Sequence, residues 1–111
     1  MGNAENKKAY VYVKIHKVGR IRILAVCDVE LLGKKFKDGG LQLEVNVRFY
    51  GGEKVPLDDK LFKLIEEAEI VNMVGEKVIS EAIKRGIVCK EGVIRIANIP
   101  HVQIIKDLGW Y

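Results

Sequence analysis

Aromatic and cationic side chains alternate with apolar ones in the first two strand-like segments of the chain, residues 9–16 and 20–27. On a β-sheet, aromatic rings stack on unpaired bases while Arg and Lys neutralise phosphates, so these residue types are typical of RNA-binding sheets. The alternative is a solvated or partly helix-covered face on which the tyrosines serve as good strand formers. The candidate nucleic-acid-binding residues are Tyr10, Tyr12, Lys14, His16, Arg20 and Arg22.

The register of the hairpin formed by these two segments decides whether the candidates share one face. A two-residue loop at residues 18–19 would set Lys14 beside Ile23 and mix polar with apolar side chains. A three-residue loop over residues 17–19 pairs Ile15 with Ile21 and places Lys14 opposite Arg22. Because a one-residue slip turns every side chain to the other face, clean segregation favours the three-residue loop. We therefore predict an outward face that carries all six candidates.

A second group of polar residues lies at the ends of the predicted elements. If they converge, His101 could act as a general base oriented by Asp28 or Glu76, or could pair with the thiol of Cys27. The alternative is structural, since Asp28 and Asn72 are good helix caps. This alternative pocket comprises Cys27, Asp28, Asn72, Glu76 and His101.

No metal site and no cofactor are predicted. A metal site would need Cys27, Cys89, His16 and His101 to meet, and none of them has the paired spacing of metal ligands. The Gly75 and Gly51–Gly52 segments lack the arrangement of a phosphate-binding loop. Two isolated cysteines are typical of free thiols, and a cysteine on an apolar strand is usually a small buried hydrophobe.

The composition indicates one domain in a cytoplasmic protein with no membrane partner. The chain has 111 residues, of which 49% are hydrophobic and 31% charged, and this is sufficient for one core. The net charge of +4 permits an acidic partner such as RNA, and the abundance of Lys and Glu is compatible with a thermophilic source. No apolar run reaches the ~18 residues of a membrane span. We expect a disordered polar leader over residues 1–8, a domain over 9–107 and a tail over 108–111.

Two amphipathic helices should cover one side of the sheet. Residues 72–86 repeat apolar side chains at helical spacing between Asn72 as N-cap and Gly86 as stop. Residues 57–69 form a similar pattern, and we place a break between Glu69 and Gly75. The 28–33 segment reads as one helical turn capped by Asp28, and residues 41–49 as a strand with Leu41, Leu43, Val45 and Val47 inward. The C-terminal strands should flank a turn at residues 98–100. The predicted fold class is α+β, a mostly antiparallel sheet of about four or five strands with two principal helices.

Several blocks of the chain resemble one protein family. The strings CDVELLGKKFKDGGLQLEV, FYGGE, NMVGEKVISEAIKRGIV and IPHVQII occur in the order found in domain-of-unknown-function family 424. The resemblance spans about residues 10–105 and implies a cytoplasmic archaeal protein with a mixed α/β fold. It implies no activity. The matching positions are Cys27, Asp28, Leu32, Gly33, Tyr50, Gly51, Gly52, Asn72, Gly75, Glu76, Pro100, His101 and Gln103.

These observations favour a non-enzymatic module that binds RNA or a ribonucleoprotein such as the translation machinery. The alternative is a small enzyme or metabolite-binding protein that uses the pocket around Asp28, Asn72, Glu76 and His101. A third reading is a protein-interaction subunit that exposes an apolar patch or a sheet edge. The oligomeric state does not follow from the sequence.

Overall fold

Eight strands and three helices form the structure, a computed structural model that describes residues 9–106. The strands are β1 (Tyr10–Val18), β2 (Ile21–Asp28), β3 (Lys35–Asp38), β4 (Leu41–Glu44), β5 (Glu53–Pro56), β6 (Ile70–Val74), β7 (Ile94–Ile96) and β8 (Ile99–Ile105). The helices are α1 (Val47–Tyr50), α2 (Asp59–Glu67) and α3 (Glu76–Lys84), with 3-10 turns at Val29–Leu31 and Lys90–Gly92. The predictions for the leader and the tail lie outside the described residues.

The main sheet has six strands in the order β5-β1-β2-β6-β8-β7. Every neighbouring pair is antiparallel except β2 and β6, which run parallel. Strands β3 and β4 form a separate two-stranded hairpin. The α+β class and the mostly antiparallel sheet are confirmed, but the predicted strand number was too low because β5 and β6 of the main sheet, and β3 of the separate hairpin, were not recognised.

Both faces of the sheet are covered, each by a different layer. On the face that we call the helix face, α2 and α3 pack their apolar sides against buried residues of β1, β2 and β6, including Val13, Val26 and Met73. On the opposite face, called the hairpin face, Ala25, Cys27 and other buried residues pack against residues 29–50, which contain the β3–β4 hairpin and α1. Because both faces of this sheet are buried under other elements, neither face has to consist of polar side chains.

The predicted helix over residues 72–86 is a strand followed by a shorter helix. Residues 70–74 form β6 in the centre of the sheet, where Val71, Met73 and Val74 are buried. The helix α3 begins only after Gly75, whose positive φ of 123° turns the chain. Asn72 is therefore not a helix cap but a mid-strand residue. A short apolar run fits a buried strand as well as a helix, which explains the error.

Two further elements differ from their predictions. The strand predicted over residues 41–49 ends at Glu44, because the Asn46 side chain accepts hydrogen bonds from the N–H groups of Arg48 and Phe49 and starts α1. Leu41 and Val47 are exposed rather than inward. The turn between β7 and β8 consists of Ala97 and Asn98, both with positive φ, rather than residues 98–100.

Candidate interaction site at the open edge of the sheet

The β1–β2 hairpin has a two-residue turn, Gly19 and Arg20, and not the predicted three-residue loop. Val18 pairs with Ile21, Ile15 with Leu24 and Lys14 with Ala25. The prediction was wrong because it assumed that one side of the sheet faces water. In the observed register, Tyr12, Lys14 and His16 lie on the hairpin face together with Ala25 and Cys27.

Three polar side chains of β1 pack against other parts of the same chain. Lys14 Nζ donates a hydrogen bond of 2.7 Å to the carbonyl oxygen of Arg48. His16 Nε2 lies 2.8 Å from the carbonyl oxygen of Phe49, and the two rings stack at 4.8 Å between centroids. Tyr12 is half-buried against the core of the hairpin face. These side chains hold α1 onto the sheet.

The remaining candidate RNA-binding residues, Tyr10, Arg20 and Arg22, differ in whether their side chains contact the rest of the chain. The Arg22 guanidinium donates to Glu69 at 3.1 Å and to the carbonyl oxygen of Glu67 at 2.5 Å. This pairing lowers the pKa of Glu69 to about 2. Tyr10 is partly exposed with Lys54 Nζ 5.5 Å from its ring centroid, and Arg20 is exposed in the hairpin turn. The six candidates therefore do not form one outward face, and RNA binding stays a prediction.

The alternative pocket is not assembled, because adjacent residues on β2 point to opposite faces. Cys27 lies in the hairpin-face core, where burial raises the pKa of its thiol to about 12. Asp28 is directed to the other side and accepts hydrogen bonds from the N–H groups of Lys77, at 2.8 Å, and Val78, at 3.0 Å. Asp28 thus caps α3, the helix that follows the neighbouring strand β6. It does not cap the 3-10 turn that directly follows it in the chain.

The other members of that group lie apart from Asp28. His101 is separated from Cys27 by the intervening strand residue Val74, which places their Cα atoms about 10 Å apart. Burial lowers the pKa of His101. Asn72 pairs with Ala25 and Gln103 along the sheet, and Glu76 makes an exposed ion pair with Arg95 at 2.9 Å. Among residues 9–106, these five candidates therefore do not provide a general base with an oriented partner.

The structure instead leaves half of one sheet edge open. Strand β1 extends to Val18, but β5 pairs with it only from Tyr10 to Val13. Within residues 9–106, no strand or loop hydrogen-bonds to the outer side of residues 14–18. Ile15 is 48% exposed and Val18 62% exposed.

The pairing of β5 shows which backbone groups face outward. Leu57 N–H donates to the carbonyl oxygen of Ala9, and Pro56, which has no N–H, lies opposite Tyr10. Backbone groups alternate sides along a strand, so the odd-numbered residues of β1 direct theirs toward β5. The N–H and C=O groups of Ile15 and Lys17 therefore point away from the sheet into the open lane.

An apolar groove accompanies this open edge on the helix face. It has a volume of about 530 Å³ and lies between β1, β5 and α2. The charged residues in its lining are Lys14, Glu53, Asp58 and Lys60. The apolar lining residues are Val13, Ile15, Val55, Pro56, Leu61 and Leu64.

The opposite edge of the sheet is protected. Strand β7 is only three residues long and packs beside the β3–β4 hairpin. The side chain of Asp38 in that hairpin accepts a hydrogen bond of 3.0 Å from the N–H of Ala97. The β1 edge is thus the place where this sheet can accept another strand with the least rearrangement.

Comparisons with known proteins identify the family. The family described as protein of unknown function, DUF424, matches residues 16–106, so the chain belongs to that family and the predicted resemblance is confirmed. A crystal structure of an uncharacterized conserved protein from Methanopyrus kandleri is similar, with 27% sequence identity and a TM-score of 0.73. The alignment covers 93% of this chain and 98% of the other. No curated protein matches.

The length of the helices bears on membrane association. Across residues 9–106, no helix is both long and apolar enough to cross a bilayer.

Proposed function

We propose that this protein is a non-enzymatic interaction subunit that binds another polypeptide by adding its strand to the open edge of β1. The observation that carries the proposal is the mismatch between β1 and β5, which leaves the outward backbone groups of Ile15 and Lys17 beside an apolar groove. In strand addition, main-chain hydrogen bonds provide affinity, and pockets for alternate side chains provide specificity. The edge supplies the first and the groove supplies the second.

The groove lies where every second side chain of an added strand would be directed. Ile15 points to the helix face and is half-exposed, and Leu64 on α2 is 37% exposed beside it. An apolar side chain from the added strand would cover both of these residues. Burial of apolar surface contributes about 25 cal/mol per Å², so even one such side chain is worth on the order of 1 to 2 kcal/mol.

The test uses a substitution that removes one outward N–H group. Lys17→Pro deletes the N–H that points into the open lane while the hydrogen bonds between β1 and β2 remain, because proline is tolerated where a strand's N–H faces solvent. Lys17→Ala is the matched control, since it removes the same side chain and keeps the N–H.

Immobilised wild-type protein and both variants are exposed to an extract of the source organism, and the captured proteins are compared. We expect Lys17→Pro to lose partners that wild type and Lys17→Ala retain. Equal capture by all three proteins, each folded by circular dichroism, would refute strand addition at this edge.

A further inference from the structure

We infer that the strand added at the β1 edge belongs to a different protein, runs antiparallel to β1, and carries an acidic residue followed two positions later by a large apolar residue. This inference rests on the proposed function and names the chemistry of its partner. The lane open to such a strand is short. Gly52 lies against the carbonyl oxygen of Val13, so the lane begins at Ile15. It ends at Val18, before the hairpin turn.

The shortness of the lane sets the direction of the added strand. In an antiparallel pair, Ile15 bonds one facing residue and Lys17 bonds another, so three consecutive partner residues suffice. In a parallel pair, each of them bonds the two partner residues that flank its position, so the partner needs about five residues and reaches the position opposite Lys14. Gly52 already lies at that position. The antiparallel arrangement is therefore the one that fits.

Two cations near the hairpin turn lack a counter-charge. Lys17 and Arg20 are exposed, and neither forms an ion pair in the described part of the chain, residues 9–106. The neighbouring acids act on Arg22 instead. The hydrogen bond and charge of Glu69, together with the charge of Glu67, raise the pKa of Arg22. An acidic side chain opposite Lys17 would therefore meet positive charge that the chain itself leaves unbalanced.

The other end of the lane is apolar on the helix face. The partner residue opposite Ile15 points to that face, where Ile15 lies beside Leu64 and the groove. An acid at this position would lie about 7 Å along the sheet from Glu53, whereas an acid opposite Lys17 lies about 13 Å away. The second distance exceeds the screening length of about 8 Å at physiological salt. In an antiparallel strand the acid thus precedes the apolar residue.

A second copy of this chain lacks that pattern in the segment it could offer. Its open lane consists of residues 15–18, which include a histidine and a lysine but no acid. Each Lys17 would face a residue of the other lane, and none of these residues is acidic. The charge of the lane therefore favours a different protein.

The probe is a blocked heptapeptide, acetyl-STETIGS-amide, titrated into isotopically labelled protein and followed by the NMR shifts of backbone amides. Its Glu would lie opposite Lys17 and its Ile opposite Ile15. We expect shifts at the amides of these two residues of β1. We expect a dissociation constant on the order of 1 mM, as four backbone hydrogen bonds and one covered side chain allow.

Two control peptides isolate the order and the charge of the pattern. In acetyl-STITEGS-amide, Glu and Ile exchange places, and its dissociation constant should be about tenfold higher because Ile no longer covers Ile15 and Leu64. In acetyl-STKTIGS-amide, Lys replaces Glu and meets Lys17, which should weaken binding about three- to tenfold. Equal binding of all three peptides overturns the inference.

Lys17→Glu tests the charge from the side of the protein. This variant keeps the backbone N–H of residue 17 and reverses the charge beside it, so it should bind the lysine peptide more tightly than the acidic one. Lys17→Ala is the neutral control and should bring the two peptides to within about twofold of each other. If Lys17→Glu still prefers the acidic peptide, the preference arises elsewhere and the inference is refuted.

The outcomes separate this inference from the proposed function. If the three peptides bind alike and Lys17→Pro weakens them all relative to Lys17→Ala, the acidic preference is wrong and strand addition stands. If the acidic peptide shifts amides away from Ile15 and Lys17, and Lys17→Pro binds it as well as Lys17→Ala, both proposals fail.

Two further results would also overturn the inference. The first is the absence of binding by any peptide up to about 10 mM, which leaves strand addition to the capture experiment alone. The second is a dimer of the free protein, seen by sedimentation, that Lys17→Pro abolishes and Lys17→Ala retains. That result would place a second copy in the lane and keep strand addition.

Discussion

The junction between β2 and α3 and the outer edge of β1 treat their backbone polar groups in opposite ways. At the junction, the N–H groups of Lys77 and Val78 in the first turn of α3 donate to the buried carboxylate of Asp28, and Gly75 leaves room for it. At the edge, the outward N–H and C=O groups of Ile15 and Lys17 have no partner within residues 9–106. Groups satisfied inside the chain stabilise the fold, whereas groups left in solvent are available to another molecule.

This difference separates two uses of polar residues that look alike in sequence. Asp28 has a side chain that could perform chemistry, yet both of its oxygens accept structural hydrogen bonds. Ile15 has no reactive side chain and Lys17 contributes its backbone N–H and C=O groups, yet the backbone of these two residues forms the best candidate binding site. We expect substitutions at the junction to affect stability strongly and substitutions at the edge to affect association.

Gly75→Ala should have the largest effect on stability. An added Cβ would lie 2.3 Å from Asp28 Cγ, and the φ of 123° is strained for any residue with a Cβ. We expect the free energy of unfolding to fall by about 3 to 5 kcal/mol, measured by chemical denaturation. Gly92→Ala is the control, because nothing lies within 4 Å of its added Cβ. A loss below about 1 kcal/mol would show that the junction is not tightly packed.

Asp28→Ala should have the next largest effect. It leaves the N–H groups of Lys77 and Val78 without their acceptor, at a cost of about 2 to 3 kcal/mol. Asp58→Ala, at the N-cap of α2, removes an acceptor from the half-buried N–H of Leu61 and should cost only about 1 kcal/mol. Equal losses measured by thermal or chemical unfolding would mean that the buried position of Asp28 adds nothing.

The pH dependence of stability should distinguish Asp28 from an exposed carboxylate. Burial raises the pKa of Asp28, so the native state holds its proton more tightly and this contribution weakens the fold as pH rises through the carboxyl range. Glu69 has the opposite sign, because Arg22 lowers its pKa from 4.5 to about 2. Its contribution is present above pH 4.5 and is lost as pH falls toward 2.

Unfolding of wild type and Glu69→Gln between these pH values should show this contribution as a difference in slope. The wild type should lose more stability than the variant on acidification. Parallel curves would show that the Arg22–Glu69 pair does not stabilise the native state.

Lys17→Pro should have the smallest effect on the stability of the monomer. Its N–H makes no hydrogen bond to any other residue of the 9–106 range, so the expected cost is about 1 kcal/mol or less, arising from backbone strain. Val18→Pro serves as the contrast, because Val18 pairs with Ile21 across the turn and loses an internal hydrogen bond. If both variants lose the same free energy of unfolding at low protein concentration, the backbone on the outer edge of β1 is as fully hydrogen-bonded as the backbone on its inner side.

The sequence predicted the elements whose pattern is local. The alternation in β1 and β2 and the apolar repeat in α2 correspond to the structure. β6 was not recognised, because Ile70–Val74 is buried on both faces and shows no alternation. Its parallel pairing with β2 is a long-range contact that no local pattern encodes.

The candidate site was predicted only as a general class, an exposed sheet edge. The predicted register of β1 and β2 was wrong because the sequence of these strands does not reveal that residues 29–50 cover the second face. One local sign was available: Pro56 within a strand marks an edge strand. The part of β1 that β5 leaves unpaired depends on where the chain reaches the outer edge of β1. It does so at Gly52, close to the carbonyl oxygen of Val13.

The parallel contact between β2 and β6 has a consequence for how the chain folds. Arg22 and Glu69, which meet at one end of this pair, are 47 positions apart in the chain. The β1–β2 hairpin can close by itself soon after its synthesis, whereas the centre of the sheet must wait until a distant segment has left the ribosome. Until then, the β2 side of the hairpin lacks a neighbour, so the nascent chain exposes the unpaired edge of a buried strand, a state that favours aggregation and ends when β6 docks.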